Sequence, residues 1–285
     1  MSSVAHEPIA PDAVLEFQGD MSLKMQHRLA VEDITDGLRL WRLAWALGWL
    51  DIRLRYRGSI LGPFWLTLST AVMVGALGVL YSALFHTDVH EYLPFLALSQ
   101  VLWGFLSAVV AEACTCFTQA ESMIRAVRMP LFLHAQRTLV RNALVLAHNV
   151  VVIAGVDVIF SVWPGWHAIL VLPALLVWIV DGLAICLALG AICARFRDIG
   201  PIVGSVMQIA FFLTPVIWQP QQLGPSAVLL PFNPFFALIE IVRAPLLGQT
   251  PTIADWGAAV IYSLILCGLS WALFVRARGR IAFWV

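Results

Sequence analysis

The chain has 285 residues, of which 61% are hydrophobic and only 12% are charged. This composition excludes an ordinary soluble globular protein and predicts an all-α polytopic membrane protein. The formal net charge of zero says little about function, because the positions of the charges along the chain decide how it is oriented in a membrane.

The N-terminal segment, residues 1–35, is predicted to be a flexible cytoplasmic tail, and residues 36–285 to form one transmembrane domain. The first thirty residues lack a positive region followed by an apolar core and a small-residue cleavage site, so the N-terminus is expected to stay in the cytoplasm. All five cysteines lie inside apolar runs. We therefore expect packing side chains rather than disulfides or a metal site.

An amphipathic interface helix on the inner membrane surface is predicted over residues 41–57. Aromatic and apolar residues recur there every three or four positions, at Trp41, Trp45, Trp49, Ile52 and Tyr56. Three arginines then precede the first apolar run: Arg53, Arg55 and Arg57. One interpretation is a plain membrane anchor, and the other is a site for an anionic substrate. Asp51 lies four residues before Arg55 and could neutralise it within the helix.

Six apolar runs have about the length that a transmembrane helix needs. They cover residues 64–86, 92–118, 138–162, 168–193, 201–218 and 255–275, and the fifth is short. With the N-terminus inside, every basic residue except Arg243 falls in a predicted cytoplasmic segment. This bias follows the positive-inside rule and predicts that both termini are cytoplasmic.

The segment between the fifth and sixth runs, residues 219–254, is predicted to dip back into the membrane as re-entrant helices. It is largely apolar and punctuated by prolines, and so apolar a segment would not lie free in water. Irregular backbone at membrane depth is tolerated only beside protein or a water-filled path. The segment is therefore expected to border a conduit.

The residues available for chemistry argue against an enzyme. Lys24 is the one lysine of the chain, so there is no Walker A motif, and motifs of serine hydrolases and zinc proteases are also absent. Three carboxylates lie within the predicted spans, at Glu112, Asp157 and Asp181, with no arginine or lysine expected as a partner. They are either a proton or ion relay, or polar groups bonded to neighbouring helices.

Two faces of the predicted spans carry small, polar and aromatic residues that could line a path. The candidates are Thr67, Thr70, Val74, Gly78 and Tyr81 in the first span, and Gln208, Phe211, Phe212 and Trp218 in the fifth. Close helix packing explains such stripes equally well. A path for sugars would also suit them, because sugars have polar edges and apolar faces.

With these residues in view, the chain resembles the membrane subunit of ABC-2-type exporters, and among them the polysaccharide and O-antigen export permeases. The resemblance covers about residues 36–285. Its marks are DIRLRYRGSILGPFW at 51–65, IRAVRMP at 124–130, ARFRDI at 194–199, LTPVIW at 213–218, and NPFF at 233–236 followed by Arg243.

The resemblance implies a homodimer with two separate ATPase subunits, which would hold ATP and Mg, so this chain needs no cofactor of its own. The cargo would be a polysaccharide on a polyprenyl diphosphate, moved from cytoplasm to periplasm across the bacterial inner membrane. Arg53, Arg55 and Arg57 would hold the diphosphate, and residues 219–248 would form periplasmic gate helices. A coupling helix would dock on the ATPase through Glu121, Ser122, Met123, Arg125 and Arg128. No nucleic acid is expected as a partner.

Three other functions stay open at this point. An ABC-2 exporter of a drug or small lipid would keep the architecture and have a narrower, more apolar path. An ion-coupled secondary transporter would work without an ATPase. A membrane-embedded glycan or acyl transferase would need catalytic groups that the sequence does not offer.

Overall fold

The computed structural model describes residues 22–59, 62 and 64–285. In this part of the chain, regular structure is helical throughout, with no strands. The α-helices are α1 (Leu23–Arg39), α2 (Trp41–Arg55), α3 (Phe64–Phe85), α4 (Val89–Ala113), α5 (Glu121–Ala126), α6 (Leu131–Phe160), α7 (Val171–Arg195), α8 (Ile199–Leu213), α9 (Pro234–Leu246) and α10 (Ile253–Trp284). Short 3₁₀ segments occupy Thr118–Ala120, Gly165–Leu170 and Pro220–Phe232.

The chain is an all-helical, multi-pass membrane protein. Five of the described helices are long and apolar enough to cross a membrane: Phe64–Phe85, Val89–Ala113, Leu131–Phe160, Gly165–Arg195 and Ile253–Trp284. They match the first four and the sixth predicted runs. The third begins at Leu131, directly after Pro130, because proline is well suited to a helix start. Most polar side chains of its first turns are buried, among them His134, Thr138 and Asn142.

The fifth predicted span, residues 201–218, is wrong in its extent. Helix α8 ends at Leu213 and has 15 residues, which at 1.5 Å per residue is about 22 Å, less than the hydrocarbon thickness of a bilayer. Thr214 is extended, with ψ of 138°, because a residue that precedes proline is pushed away from helical backbone angles.

The segment predicted as re-entrant forms two helical pieces. Pro220–Phe232 and α9 meet at an angle of 109°, and the Asn233 side chain accepts hydrogen bonds from the backbone N–H groups of Phe235 and Phe236 at the start of α9. Such a bend belongs to a broken span or a re-entrant loop. The structure therefore agrees with a segment that turns back on itself, while its periplasmic location stays a prediction.

Part of the predicted flexible tail is helical. Residues 1–21 lie outside the described residues, but α1 covers residues 23–35 of the tail. Buried Asp33 accepts hydrogen bonds from the backbone N–H groups of Leu131 and Phe132, at 3.2 and 3.0 Å, and pairs with Arg278 at 2.9 Å. One carboxylate thus joins α1 to the start of α6 and to α10, which accounts for order in a segment that looks polar in sequence.

Helix α2 corresponds to the predicted interface helix, and it is packed along α6 through small residues. Ala44, Gly48 and Ile52 are buried. A Cβ atom at Gly48 would lie 2.8 Å from Cγ1 of Val140, so the two helices are in close contact there. The tryptophans at 41, 45 and 49 are exposed. Ile52 of the same predicted stripe is buried instead, so the stripe does not form one exposed face, and the position of α2 at the membrane surface stays a prediction.

Arg243, the basic residue that departs from the charge bias, is an internal residue with 1% of its surface exposed. It pairs with Glu240 on α9, donates to Ser99 Oγ at 2.9 Å on α4, and donates to the Pro215 carbonyl at 2.6 Å beyond α8. Its guanidinium also lies 4.5 Å from the centre of the Phe95 ring. Arg243 therefore anchors the bent segment to α4. It is an internal residue and not one of the charged residues of the loops.

Candidate functional site

The candidate site lies where the last turn of α2 meets α4 and α6. Arg53, Arg55 and Arg57 are all exposed. The helix ends at Arg55, and a turn follows that includes Gly58, whose φ of 86° favours glycine. The structure therefore places the three predicted arginines at one end of α2, a few residues before the first span in the sequence.

Asp51, one turn earlier, binds two arginines of α6. Arg137 forms a bidentate pair with it, with Nε to Oδ2 at 2.7 Å and Nη2 to Oδ1 at 2.6 Å. Arg141 adds a contact from Nη1 to Oδ2 at 3.1 Å. The neutralisation of Arg55 by Asp51 within the helix, an alternative that the sequence left open, is therefore not formed among the described residues. The bidentate geometry that Arg137 offers from a second helix is the stronger arrangement.

Glu112, in the last turn of α4, is the second carboxylate of the cluster. Its Oε2 accepts from Arg141 at 2.7 Å and from the Asn142 side chain at 2.7 Å. Its Oε1 accepts from Arg55 Nη2 at 3.1 Å. The expectation that no basic partner is available to Glu112 is therefore wrong, because Arg141 lies inside α6 and not in a loop.

These five charges form one network, named here the α2–α4–α6 ion network: Asp51, Arg55, Glu112, Arg137 and Arg141. Three guanidinium groups and two carboxylates leave it with one net positive charge. Burial raises the pKa of Asp51, but the hydrogen bonds and charges of Arg137 and Arg141 outweigh it and hold that pKa below its usual range. Asp51 is therefore ionised at neutral pH.

The α6 members of the network, Arg137, Arg141 and Asn142, are functional candidates that sequence reasoning missed. From the sequence, Arg137 and Arg141 indicate only the orientation of the chain in the membrane. Their spacing of four residues puts them on one face of a helix, as does the spacing of Asp51 and Arg55 on α2. Two such pairs of charges, one of them at the end of an amphipathic helix, are the sequence signal that could have indicated a contact between α2 and α6.

The two other carboxylates of the spans have different surroundings. Asp181 on α7 accepts a hydrogen bond from Ser263 on α10 at 2.8 Å, and Oδ1 of Asp157 has no partner among the described residues. Neither of them shares a hydrogen-bond partner with Glu112 in the described part. Asp181 therefore bonds to a neighbouring helix, as one of the two interpretations predicts.

The predicted lining residues of α3 divide into two groups. Thr67, Val74 and Gly78 are buried against the chain's own helices; Thr67 donates to the His148 carbonyl at 3.3 Å, and a Cβ at Gly78 would lie 2.9 Å from Leu93 Cδ1. Gly78 therefore serves close packing, while Thr67 and Val74 also border an apolar cleft of about 380 Å³ between α3, α4 and α6. Thr70 and Tyr81 are half-buried.

The candidates on and after α8 are more open. Gln208 and Phe212 are exposed, and Phe211 and Trp218 are half-buried. Gln208, Phe211 and Phe212 border a cleft of about 470 Å³ together with Trp103 of α4. A larger cleft of about 810 Å³ lies nearer the other end of the same pair of helices, lined by small residues and by Arg197. Helices α4 and α8 therefore present a groove with polar and aromatic groups.

The predicted coupling residues lie on and just after α5, a six-residue helix without buried residues. Glu121 and Arg125 form an ion pair at 3.0 Å. Arg125 also donates to the Val285 backbone carbonyl. Ser122 and Arg128 are exposed, and Met123 is half-buried. The helix is thus a surface element held by the contact of Arg125 with Val285 and by Ile124, which packs against the buried cluster that contains Phe274.

Comparison with known proteins places this architecture in a family. The family described as ABC-2 type transporter matches residues 42–247, which is more than half of the chain. The chain belongs to the ABC-2 type transporter family. The matched region runs from α2 to α9 and contains the whole α2–α4–α6 ion network, so the resemblance drawn from the motifs is confirmed at the level of the family.

Within the ABC-2 family, the chain is similar to one permease of a named export system. Over 197 residues this permease is 23% identical to the O-antigen export system permease protein RfbA of Myxococcus xanthus. The alignment covers 68% of this chain and 76% of that protein. ABC-2 permeases are transport subunits that work with a partner ATPase subunit.

Proposed function

We propose that this permease forms the membrane path for a polysaccharide linked to a polyprenyl diphosphate, exported from the cytoplasm to the periplasm. Two copies would enclose the path, and two ATPase subunits would supply the energy. The observation that carries the proposal is the exposed cluster of Arg53, Arg55 and Arg57 at one end of an apolar bundle. The similarity to an O-antigen export permease supports the class of cargo.

The chemistry of the cluster suits a lipid-linked diphosphate. Arg53 and Arg57 have no ion-pair partner within residues 22–59, 62 and 64–285. Guanidinium groups bind phosphate oxygens through short, charge-assisted hydrogen bonds. The tryptophans of the same helix favour the headgroup level of a bilayer. A diphosphate in the inner leaflet would then lie beside the first span.

The proposed mechanism also involves a coupling helix, a path for the glycan and an outer gate. Movement of the ATPase subunits reaches the permease through Glu121, Ser122, Met123, Arg125 and Arg128. The glycan passes Thr70, Tyr81, Gln208, Phe211, Phe212 and Trp218, with the bent pair Pro220–Phe232 and α9 as a gate on the outer side. The proposed orientation in the bacterial inner membrane, with both termini cytoplasmic, rests on the distribution of basic residues.

The experiment is complementation of a bacterial strain that lacks its O-antigen export permease, with this chain and its ATPase supplied together. Arg55→Ala plus Arg57→Ala should abolish surface glycan while the folded permease still copurifies with the ATPase. The matched control, Arg39→Ala plus Arg42→Ala, removes two exposed arginines around the start of α2 and should keep export. Normal surface glycan in the first double variant would refute the diphosphate role.

A second measurement separates the competing functions. Purified permease without an ATPase is placed in liposomes with an ion gradient. We expect no transport under these conditions, since the energy comes from the partner subunit. Transport driven by the gradient alone would assign an ion-coupled transporter instead, and export of a small lipid without any glycan would assign the narrower ABC-2 cargo.

A further inference from the structure

The three arginines of the α2–α4–α6 ion network differ in their exposure and in their ion-pair contacts, and Arg55 is bound most weakly. Its side chain is 46% exposed, against 21% for Arg137 and 8% for Arg141. Its one ion pair is the 3.1 Å contact to Glu112, and it also has a hydrogen bond with the neighbouring Tyr56 on the same helix end, whereas Arg137 makes two shorter contacts to Asp51. A half-exposed ion pair through a single contact contributes little, and a bidentate, less exposed pair contributes more.

Arg55 can also leave without stranding a charge. When it moves away, Glu112 keeps Arg141 at 2.7 Å and Asn142 at 2.7 Å. Removal of Arg141 would instead take a partner from both carboxylates at once. An unpaired charge away from water is costly in free energy. Release of Arg55 avoids this cost for Glu112, so Arg55 is the arginine that leaves the network most easily.

We propose that Glu112 is the resting partner of Arg55, and that a phosphate group takes Arg55 from it when cargo binds. The inference rests on the proposed function and assigns to Glu112 a role in setting affinity. Arg53 and Arg57, which are exposed two residues before and two residues after Arg55, give the phosphate its first contacts. Arg55 then exchanges one carboxylate oxygen for phosphate oxygens, which its planar fork can bind in pairs.

The exchange changes only one of the links of α2. Asp51 keeps its contacts with Arg137 and Arg141, so α2 stays on α6. The direct link between α2 and α4 through Glu112 is lost. Because α4 leads through Thr118–Ala120 into α5, the arrival of a phosphate at α2 changes the restraint on the helix that precedes the proposed coupling element.

The experiment measures binding of two probes, inorganic pyrophosphate and geranyl diphosphate, to the full chain in detergent micelles, with geraniol as the chain-only control. Glu112→Gln removes the competitor and should tighten diphosphate binding about three-fold, the scale of one exposed ion pair. Asp51→Asn removes the same charge from the same network without freeing Arg55, and should give no such gain. An equal gain in both variants would refute the proposal, since net charge alone would explain it.

A double variant tests the pairing itself. In an Arg55→Gln background, Glu112→Gln should have no effect on diphosphate binding. A gain that persists there would overturn the assignment of Glu112 to Arg55. If Glu112→Gln does not fold, Glu112→Asp takes its place, because the shorter side chain keeps its charge for Arg141 and withdraws from Arg55; absence of a gain in that variant refutes the proposal.

The two probes distinguish the source of the phosphate and the level at which the account fails. A gain on both probes assigns a site for the diphosphate group itself, and a gain on geranyl diphosphate alone assigns a lipid headgroup. If the unaltered protein binds neither probe, this inference and the proposed diphosphate role fail together. If it binds both and the variants do not differ, the competition by Glu112 fails alone.

Discussion

Replacement of Arg243 by methionine should be among the most destabilising single changes in the chain. The guanidinium is buried, with 1% exposure, and it binds Glu240, Ser99 and the Pro215 carbonyl. Methionine fills much of the volume but donates no hydrogen bond. The change therefore leaves a carboxylate that is 18% exposed and a backbone carbonyl without their partner.

The magnitude follows from what is left behind. Breaking a buried ion pair by removing one partner costs about 3–5 kcal/mol, mostly because the other charge stays unpaired. A second change, Glu240→Gln, removes that charge and should restore about 2 kcal/mol. The double variant then keeps a deficit of about 1–3 kcal/mol from the hydrogen bonds to Ser99 and Pro215.

The assay is unfolding by sodium dodecyl sulfate in mixed micelles, followed by tryptophan fluorescence. Arg39→Met is the matched control, since Arg39 makes an exposed pair with Asp36 and its loss should change the free energy of unfolding by less than about 1 kcal/mol. If Arg243→Met plus Glu240→Gln is as unstable as Arg243→Met alone, the cost does not come from an unpaired charge and the reasoning is refuted.

Three further predictions concern α2 and α5. Gly48→Ala should lower the free energy of unfolding by about 1–3 kcal/mol, because its Cβ would lie 2.8 Å from Val140 Cγ1. Gly104→Ala is the control and should not lower it, since a Cβ there would have nothing within 4 Å. Equal melting temperatures of the two variants would contradict the close packing of α2 on α6. The pKa of Asp51 is lowered from 3.8, so its ion pairs stabilise the fold fully above that pH and are lost as the pH falls through the lower folded-state pKa. Asp51→Asn should abolish this part of the acid sensitivity of the fold. Unchanged acid sensitivity of this variant in an acid titration of unfolding would count against the network. Ser122→Glu plus Arg128→Glu should keep the melting temperature and lose ATPase copurification, whereas Arg39→Glu should keep both; retained copurification in the first variant would exclude α5 as the docking element.

Helix positions could be predicted from the sequence because they depend on local information. Apolar runs of sufficient length mark α3, α4, α6, α7 and α10, whatever their partners are. Errors occurred where distant residues decide. Helix α1 looked like a tail because the partners of Asp33 lie near residues 131 and 278, and no pattern within residues 1–35 reveals them.

The arginines at the end of α2 could be identified from their density and from the family motif, and their role stays a prediction. Their ion-pair partners could not be identified in this way. The choice of Arg137 over Arg55 as the partner of Asp51 depends on how α2 packs along α6, and that packing depends on Gly48 facing Val140. In the same way, the stripe of α3 contains residues that suit both packing and a path, and only the position of α4 beside Gly78 shows which of them are enclosed.

The most direct test of the account is reconstitution of the permease with its ATPase in liposomes that contain polyprenyl-diphosphate-linked polysaccharide on one side. We expect ATP-dependent appearance of the glycan on the other side, lost in Arg55→Ala plus Arg57→Ala and kept in Arg39→Ala plus Arg42→Ala. Glycan translocation at an unchanged rate in the first double variant, or without any ATPase, would contradict it.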